Sequence, residues 1–394
     1  MNILQLIGRE EPLFRQDLEQ YDNLIRQRVE SSSFLVLGGA GSIGQAVTKE
    51  IFKRNPKKLY IVDISENNLV EMMRDIRSSL GYIEGEFKSF ALDIGSWQFD
   101  AFVSENTDFD YVLNLTALKH VRSEKDQFTL MRMVETNILN TLKNIVWAKK
   151  NGVRKYFAVS TDKAANPVNM MGATKRIMEL FLMQESENIP ISMARFANVA
   201  FSDGSLLHSF KQRLVKRQPI VAPNDVKRYF VTPEESGLIC LFSTILGENR
   251  DVFFPVLNDE HLITFTDIAS RFLAHNGFEI ALVDSEDEAR CSIDTLIHTG
   301  KWPCLFTPSN TTGEKSFEEF YTASEQIDFE TYSEFGIIKS EPYIEKEKLS
   351  HFLEVVSAFK ADGKWSKKEL LDLFRYLLPH FDHDERGKYL DSKM

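Results

Sequence analysis

The chain has 394 residues and a formal net charge of −11. A charge this negative disfavours nucleic-acid binding, because phosphate backbones are held by clustered cations. Hydrophobic residues make up 43% of the chain and charged residues 27%, which excludes a disordered protein and indicates a large core and about two domains.

The sequence indicates neither a membrane span nor a disulfide framework. Its longest apolar stretch, about residues 238–246, is shorter than the roughly 20 residues that cross a bilayer. No basic-then-apolar leader begins the chain. The three cysteines, Cys240, Cys291 and Cys304, have spacings that suit neither disulfides nor a zinc site. These features predict a reduced, cytoplasmic, soluble protein without a metal site.

Apolar periodicity predicts the elements of the first half. Residues 1–30 have helical spacing and predict one or two short helices, which form either a simple N-terminal arm or a contact with a partner subunit. Short apolar runs then predict strands at 34–37, 58–63, 111–115 and 155–160, and helical patterns fill 44–53, 67–80 and 131–151. This alternation predicts an α/β fold with a Rossmann-type doubly wound parallel sheet over residues 31–200.

Beyond residue 200 the alternation loosens. Helices are predicted at 205–217, from 232–235 onward, and from a capping-box spacing at 366–369 to just before Pro379. Residues 201–394 are therefore predicted to form a smaller α/β substrate-binding region with a C-terminal helical extension. The acidic pairs Glu234-Glu235 and Glu318-Glu319 are expected on helix surfaces.

Glycines 38, 41 and 44 form a turn between the first predicted strand and its helix. Their missing Cβ atoms allow a tight turn and the close approach of a pyrophosphate, and the helix start adds free N–H groups. Asp63 ends the second strand about 20 residues later, where a carboxylate can bind the adenosine ribose or merely cap the next helix. Because a carboxylate repels a 2′-phosphate, the pattern predicts NAD rather than NADP.

Two polar segments follow later strand ends. Asp93 and Ile94 come where a third strand should end, and either meet the adenine or form a plain turn. Thr161, Asp162 and Lys163 end the fourth predicted strand, next to the expected nicotinamide position. Alternatively, Asp162 and Lys163 form a solvated ion pair at a turn.

The helix after this segment lacks a familiar acid–base group. Short-chain dehydrogenases usually have Tyr-x-x-x-Lys here, whereas this chain has Met171 and Lys175, and methionine cannot transfer a proton. The residues alone thus indicate either an inactive enzyme or a base supplied from elsewhere, with Thr161, Asp162 and Lys163 as substitutes.

Residues 160–176 resemble the signature of nucleotide-sugar 4,6-dehydratases of the capsular-polysaccharide type, extended short-chain dehydrogenases that act on UDP-N-acetylglucosamine. The resemblance extends to 62–68, 117–121, 195–199, 228–230 and 313–315, and covers about residues 33–380. Methionine in place of tyrosine also occurs in this branch, so Met171 favours an active enzyme. The family often has glycine at Ala197 and Arg-Pro at Thr311-Thr312, so the resemblance supplies no phosphate contact there. Several members carry membrane segments before the glycine turn, where this chain has a short polar arm.

The resemblance implies a three-step reaction for surface polysaccharide or glycan biosynthesis. NAD takes hydride from C4, water leaves across C5–C6, and hydride returns to C6, which gives a 6-deoxy-4-keto sugar. Asp162 then acts as the acid for the C6 hydroxyl and Lys163 as the base for the C5 proton. Lys163 can do so only if burial or nearby cations lower its pKa. Thr161 binds the C4 hydroxyl and relays its proton, Lys175 holds the ribose and Met171 faces the sugar.

The remaining site predictions follow from the same resemblance. The predicted cofactor-binding residues are Gly38, Gly41, Ser42, Ile43, Gly44, Asp63, Ser65, Asp93, Ile94, Ala117 and Lys175. Lys119, Asn198 and Arg228 are predicted to bind the UDP group, although Arg228 could instead be a surface charge beside Tyr229. A homo-oligomer is expected. The alternatives are an epimerase or reductase on the same scaffold, and a non-catalytic NAD-binding protein.

Overall fold

A computed structural model of the protein describes residues 2–309, 315, 317–339, 345–383, 385 and 387. The strands within these residues are, in chain order, β1 (Ser33–Leu37), β2 (Lys58–Asp63), β3 (Glu86–Ala91), β4 (Tyr111–Asn114), β5 (Lys155–Thr161), β6 (Ile191–Phe196), β7 (Asn198–Val199), β8 (Ile220–Pro223), β9 (Lys227–Arg228), β10 (Phe230–Val231), β11 (Val252–Pro255), β12 (Ile263–Thr264), β13 (Glu279–Leu282), β14 (Lys301–Thr307), β15 (Ile327–Asp328) and β16 (Phe335–Ile338). The helices are α1 (Ile3–Leu6), α2 (Arg15–Glu30), α3 (Ser42–Phe52), α4 (Glu66–Ser79), α5 (Trp97–Glu105), α6 (Gln127–Val134), α7 (Asn140–Lys150), α8 (Met170–Glu185), α9 (Leu206–Val215), α10 (Pro233–Ile245), α11 (Phe265–His275), α12 (Glu286–His298), α13 (Lys346–Asp362) and α14 (Lys367–Leu377).

A nine-stranded sheet forms the centre of the described chain. Its order is β15-β16-β11-β6-β5-β4-β1-β2-β3, and the pairs from β3 to β11 are parallel. The stretch β3-β2-β1-β4-β5-β6 has the strand order of a dinucleotide-binding fold. The structure therefore confirms the Rossmann-type sheet. Strands β11, β15 and β16 join it from beyond residue 200.

Helices cover both faces of this sheet. Helices α8 and α10 both contact β5 and β6, and every residue of β6 is buried, as expected for a strand covered on two sides. The predicted strands agree with β1, β2, β4 and β5 to within a residue. The predicted helix at 131–151 begins earlier and consists of α6, a π-helical turn Glu135–Leu139, and α7.

A second, smaller core lies in the region after residue 200. Helices α9, α11 and α12 pack against the three-stranded sheet β13-β14-β8. The buried side chains of this core include Phe210, Ile220, Phe272 and Trp302. Helix α10 also follows residue 200 in the sequence, but it packs on α3 and belongs to the main core.

The N-terminal residues pack against the rest of the same chain. The Arg9 guanidinium donates hydrogen bonds to both carboxylate oxygens of Glu235, at 2.8 and 2.5 Å, and both side chains are buried. The Phe14 ring stacks on Phe335 with centroids 4.1 Å apart. These contacts hold the segment against its own chain, and a contact of the segment with a partner subunit stays a prediction. Glu235 is not on a helix surface as predicted, because it completes the capping box of α10 and faces Arg9.

Candidate active site

A cavity of about 450 Å³ lies at the carboxyl ends of β1, β4, β5 and β6. Ligands of doubly wound sheets bind at this edge, where the loops after the strands converge. Of the predicted site residues, fourteen line the cavity: Gly38, Gly41, Ser42, Ile43, Gly44, Ala117, Lys119, Thr161, Asp162, Lys163, Met171, Lys175, Asn198 and Arg228. Asp63, Ser65, Asp93 and Ile94 are not part of its lining.

The three glycines of the turn differ in the space around them. A Cβ on Gly38 would lie 2.8 Å from the nitrogen of Thr116, and φ there is +74°. A Cβ on Gly44 would lie 2.2 Å from the carbonyl oxygen of Gly38. Close backbone packing thus requires glycine at both positions. A Cβ on Gly41 would meet only that carbonyl, at 3.5 Å, so close backbone packing does not require glycine there.

The Asp63 carboxylate braces the glycine turn. Its Oδ2 accepts a hydrogen bond from the nitrogen of Ala40 at 3.0 Å, and Oδ1 accepts one from the nitrogen of Ser65 at 2.9 Å. The cap of α4 is Ser65, whose side chain accepts from Asn68. Asp63 is therefore not merely a helix cap, since it links the end of β2 to the turn.

The third predicted cofactor position is a turn. Asp93 Oδ1 accepts a hydrogen bond from the nitrogen of Gly95 at 2.9 Å, and the Ile94 side chain is buried in the main core. A contact of these residues with a cofactor stays a prediction, and their observed bonds are those of a plain turn.

At the end of β5, three donors converge on one oxygen. Asp162 Oδ1 accepts hydrogen bonds from Thr161 Oγ1 at 2.8 Å, from the Lys163 backbone nitrogen at 2.8 Å and from Lys163 Nζ at 3.1 Å. The Asp162 side chain is only 3% exposed. The alternative of a solvated turn pair is thus excluded, because this ion pair lies in the cavity wall.

The Lys163 ammonium has a second carboxylate neighbour, which the sequence reading missed. Its Nζ lies 3.8 Å from Oε1 of Glu318, whose side chain is 5% exposed. Burial lowers the pKa of Lys163, but the charges of Asp162 and Glu318 outweigh it and raise the pKa above its ordinary value. This direction is opposite to the one that the predicted base needs. The expectation that Glu318 lies on a helix surface is wrong, because it occupies an irregular segment against the cavity.

Helix α8 brings Met171 and Lys175 to the same cavity. Its first turn is capped by Asn169, whose side chain accepts from the nitrogen of Gly172 at 2.8 Å. Met171 is 4% exposed and offers an apolar surface. The buried Lys175 Nζ donates to the carbonyl of Val159 at 3.0 Å. Burial lowers the pKa of Lys175 to about 8, against the opposing charge of Glu179.

A buried ion cluster connects β5, β6 and α8 with the segment that carries Glu318. Arg195 on β6 donates to both oxygens of Glu179 on α8 and to both oxygens of Glu325, at 2.8–2.9 Å. Its Nη1 also donates to the carbonyl of Phe320 at 2.8 Å. The hydroxyl of Ser160, which precedes Thr161 on β5, donates to Glu179 at 2.6 Å. Arg195 therefore ties this segment to the edge of the sheet.

The predicted diphosphate ligands Lys119, Asn198 and Arg228 all line the cavity. Arg228 is 4% exposed and its Nη2 donates to the carbonyl of Lys315 at 2.9 Å, so it is not a surface charge. Ala197 is buried in the cavity wall. The predictions that concern Thr311, Thr312 and residues 313–314 lie outside the described residues.

Two kinds of feature are absent from the described residues. Within the described ranges, no helix combines the length and apolar character that crossing a membrane requires. In the same part of the chain, no group of three or more His, Cys, Asp and Glu side chains could hold a metal ion.

The sequence is similar to several known proteins. It is 31% identical over 57% of its length to an uncharacterized membrane protein of Methanocaldococcus jannaschii, of which it covers 66%. It is 28% identical over 70% of its length to the capsular polysaccharide biosynthesis protein CapD of Staphylococcus aureus, of which it covers 46%. A UDP-N-acetylglucosamine 4,6-dehydratase (inverting) of Campylobacter jejuni is 26% identical over 87% of this chain and 97% of its own. The chain thus spans two thirds or less of the first two relatives.

Two solved structures share the fold. Pen from Bacillus thuringiensis has a TM-score of 0.64 and 21% identity, covering 79% of this chain and 88% of its own. DesIV is a dTDP-glucose 4,6-dehydratase from Streptomyces venezuelae that was solved with NAD and TYD bound. It has a TM-score of 0.55 and 15% identity, and the match covers 73% of this chain and 87% of DesIV. At these identities the likeness concerns the fold alone.

One family model covers most of the chain. The model described as polysaccharide biosynthesis protein matches residues 34–340. This range includes the glycine turn, Thr161, Asp162 and Lys163, the buried ion cluster and Glu318. The match exceeds half of the chain, and the protein therefore belongs to this polysaccharide biosynthesis protein family.

Proposed function

We propose that the protein is a UDP-N-acetylglucosamine 4,6-dehydratase, a hydro-lyase that forms a UDP-2-acetamido-2,6-dideoxy-4-keto-hexose for surface polysaccharide or glycan biosynthesis. The observation that carries the proposal is the lining of one cavity, which combines Thr161, Asp162 and Lys163 with the apolar Met171 beside a glycine turn. Elimination of water needs both an acid and a base, and this cluster contains candidates for both. The similarity to the Campylobacter jejuni dehydratase, which extends over 97% of that protein, supports the same activity.

NAD is the proposed resident cofactor, and the residues present fit it. The turn excludes side chains at Gly38 and Gly44, and the start of α3 offers free N–H groups to a pyrophosphate. Asp63 at the end of β2 favours NAD over NADP, because its charge would repel a 2′-phosphate. Bound NAD would supply the redox chemistry, by accepting hydride from C4 of the sugar and returning it to C6. Lys175 is assigned to the ribose.

The observed hydrogen bonds suggest a route for the hydroxyl proton. In a 4,6-dehydration, the proton from the C4 hydroxyl and the hydroxyl from C6 together form the lost water. Thr161 Oγ1 already donates to Asp162 Oδ1 at 2.8 Å. A proton passed from the C4 hydroxyl through Thr161 would convert Asp162 into a carboxylic acid. Asp162 could then protonate the departing C6 hydroxyl, so that Met171 need not transfer a proton.

Lys163 is the proposed base for the C5 proton. It is the remaining proton-transfer group at the end of β5, and it lies beside Asp162 in the cavity. Only its neutral amine can accept a proton, so a nearby group has to take the ammonium proton first.

The UDP group is assigned to Lys119, Asn198 and Arg228. Arg228 and Lys119 provide positive charge and Asn198 provides an amide at the cavity. A guanidinium can bind a phosphate through two parallel hydrogen bonds. Local cations of this kind are required in a chain whose net charge is −11.

Mass spectrometry of UDP-N-acetylglucosamine incubated with the purified protein tests the proposal. The expected product is lighter by one water and forms without added cofactor being consumed. An unchanged mass with a new retention time would indicate an epimerase, and consumption of added cofactor would indicate a reductase. Cofactor binding without any change in nucleotide sugars would indicate a non-catalytic protein. Each of these three outcomes would reject the dehydratase.

The organisation of the molecule belongs to the same proposal. We assign residues 31–200 to cofactor binding, and residues 201–394 to substrate binding and the helical extension, with 1–30 as the N-terminal arm. The homo-oligomer and the cytoplasmic location are proposed with it. Sedimentation equilibrium and cell fractionation test these two predictions.

A further inference from the structure

Glu318 is an acidic group in the cavity wall that the mechanism above does not use. Its Oε1 lies 3.8 Å from Lys163 Nζ, and its side chain is 5% exposed. Its Oε2 is buried without a hydrogen-bond partner among the residues that the structure describes. A buried carboxylate with an oxygen that has no donor is costly when it is charged, so the Glu318 carboxyl group is suited to receive a proton, through the Oε1 that faces Lys163.

The charges around Glu318 support this interpretation. Burial raises the pKa of the Glu318 carboxyl, the cations Lys163, Arg228 and Lys315 oppose the rise, and the Asp162 carboxylate reinforces it. Two carboxylates thus compete for the single ammonium of Lys163. When a sugar nucleotide fills the cavity and excludes water, a neutral amine beside a neutral acid becomes more favourable relative to the ion pair.

We propose that Glu318 takes the ammonium proton of Lys163 and thereby releases the neutral amine that removes the C5 proton. The Nζ–H bond breaks, an Oε–H bond forms on Glu318, and the lone pair of Nζ is freed. The amine then takes the C5 proton and becomes an ammonium again, while Glu318 keeps its own proton. When hydride reaches C6, C5 regains a proton, from this ammonium or from solvent on the opposite face. Glu318 acts through Lys163 and is a positioning residue. This inference rests on the proposed dehydratase function.

The fold holds Glu318 close to Lys163, and the 3.8 Å between Oε1 and Nζ must shorten to hydrogen-bond distance for the transfer. Two residues further along, the carbonyl of Phe320 accepts a hydrogen bond from Arg195 at 2.8 Å. Arg195 is itself fixed by Glu179 on α8 and by Glu325. The distance between Glu318 and Lys163 is therefore set by the buried ion cluster and is not left to a free loop.

The test uses Glu318→Gln, with Glu319→Gln as the matched control. Glu319 is exposed and bonds Asn166 on the outside of the segment, at 2.9 Å. In single turnovers with UDP-N-acetylglucosamine, Glu318→Gln should still oxidise C4, so that reduced nicotinamide accumulates. Elimination should slow by roughly 100-fold or more, the range typical of a lost proton-transfer partner. The apparent KM should change little, and Glu319→Gln should match the wild type.

The pH profile separates proton transfer from support of the fold. Without its internal acceptor, Lys163 must lose its proton to solvent, so the elimination rate of Glu318→Gln should rise with pH over a range in which the wild-type rate is flat. If Glu318 only held Lys163 charged, the glutamine would free the amine and elimination would not slow, which would overturn the proposal. An equal loss of oxidation and elimination would also overturn it.

A second variant, Glu318→Asp, keeps the proposal testable if Glu318→Gln does not fold. Glu318→Asp keeps the charge but shortens the reach to Nζ, and should slow elimination by about tenfold while C4 oxidation persists. An elimination rate equal to that of the wild type would reject the proposal. A wild-type protein that removes no water from any UDP-sugar would reject the dehydratase itself, so the two failures are distinguishable.

Discussion

Three donors converge on one oxygen of Asp162 and fix the position of its carboxylate. We predict that Asp162→Asn stops product formation, with a loss of about 100- to 10,000-fold, because an amide cannot carry the proton to the C6 hydroxyl. Lys163→Ala should do the same by removing the base. Both should leave NAD affinity near that of the wild type, measured by isothermal titration. Asp126→Asn, at the cap of α6 and outside the cavity, is the control. Near-normal turnover in Asp162→Asn or Lys163→Ala would refute the assigned roles.

At the glycine turn, a substitution of Gly41 can test the contact with the cofactor without disturbing the fold. A Cβ there meets nothing closer than 3.5 Å, so Gly41→Ala should melt within a few degrees of the wild type. It should bind NAD at least about tenfold more weakly, because the methyl group lies where the pyrophosphate is expected. Gly44→Ala, whose Cβ would clash with the turn, should lower the melting temperature. Unchanged NAD affinity in Gly41→Ala would exclude this path for the cofactor.

At the scale of elements, the ion cluster joins α8, β6 and the segment of Glu318. Burial raises the pKa of Glu179, but the charge and hydrogen bonds of Arg195, with Arg176 and Ser160, outweigh it and lower the pKa from 4.5 to about 2. Since the folded pKa is depressed, the stabilisation by this carboxylate is complete above pH 4.5. It falls as the pH drops below that value and is gone below about pH 2.

This linkage predicts a difference in acid stability. Urea unfolding between about pH 6 and pH 3 should show that wild type loses more unfolding free energy than Glu179→Gln, by on the order of 1 kcal/mol per pH unit below 4.5. At neutral pH the variant should be less stable by roughly 3 kcal/mol, because Arg195 keeps only part of its compensation. Glu71→Gln, an exposed site on α4, should leave the urea midpoint unchanged. Parallel curves for wild type and Glu179→Gln would contradict the linkage.

Elements with their own pattern were predictable from sequence, and those that depend on distant partners were not. The apolar runs of β1 and β2, the glycine turn and Asp63 are all local signals, since each is set by neighbouring residues. Glu235 and Glu318 look like surface acids locally. Their burial depends on Arg9 and Lys163, which lie far away in the sequence, and no periodicity reveals such a pair.

For the whole molecule, the N-terminal arm should contribute to the stability of the main core. Arg9→Met would leave the buried Glu235 without its bidentate partner, which costs roughly 3–5 kcal/mol. Urea unfolding should show this loss as a lower midpoint. Arg15→Met removes an exposed arginine of the same arm, which pairs with Glu11 and Glu19, and should leave the midpoint where it is in wild type. Equal urea midpoints in Arg9→Met and Arg15→Met would show that the pair of Arg9 and Glu235 does not contribute to stability.

The tie between Arg195 and the carbonyl of Phe320 joins residues 125 positions apart, and this has a consequence for the order of folding. Closing a loop of that length costs entropy that local contacts cannot offset early. During synthesis the glycine turn and β5 leave the ribosome well before Glu318 does. The nascent chain can therefore form the glycine turn before Glu318 reaches Lys163, and the proposed dehydration should begin only when the segment of Glu318 has docked.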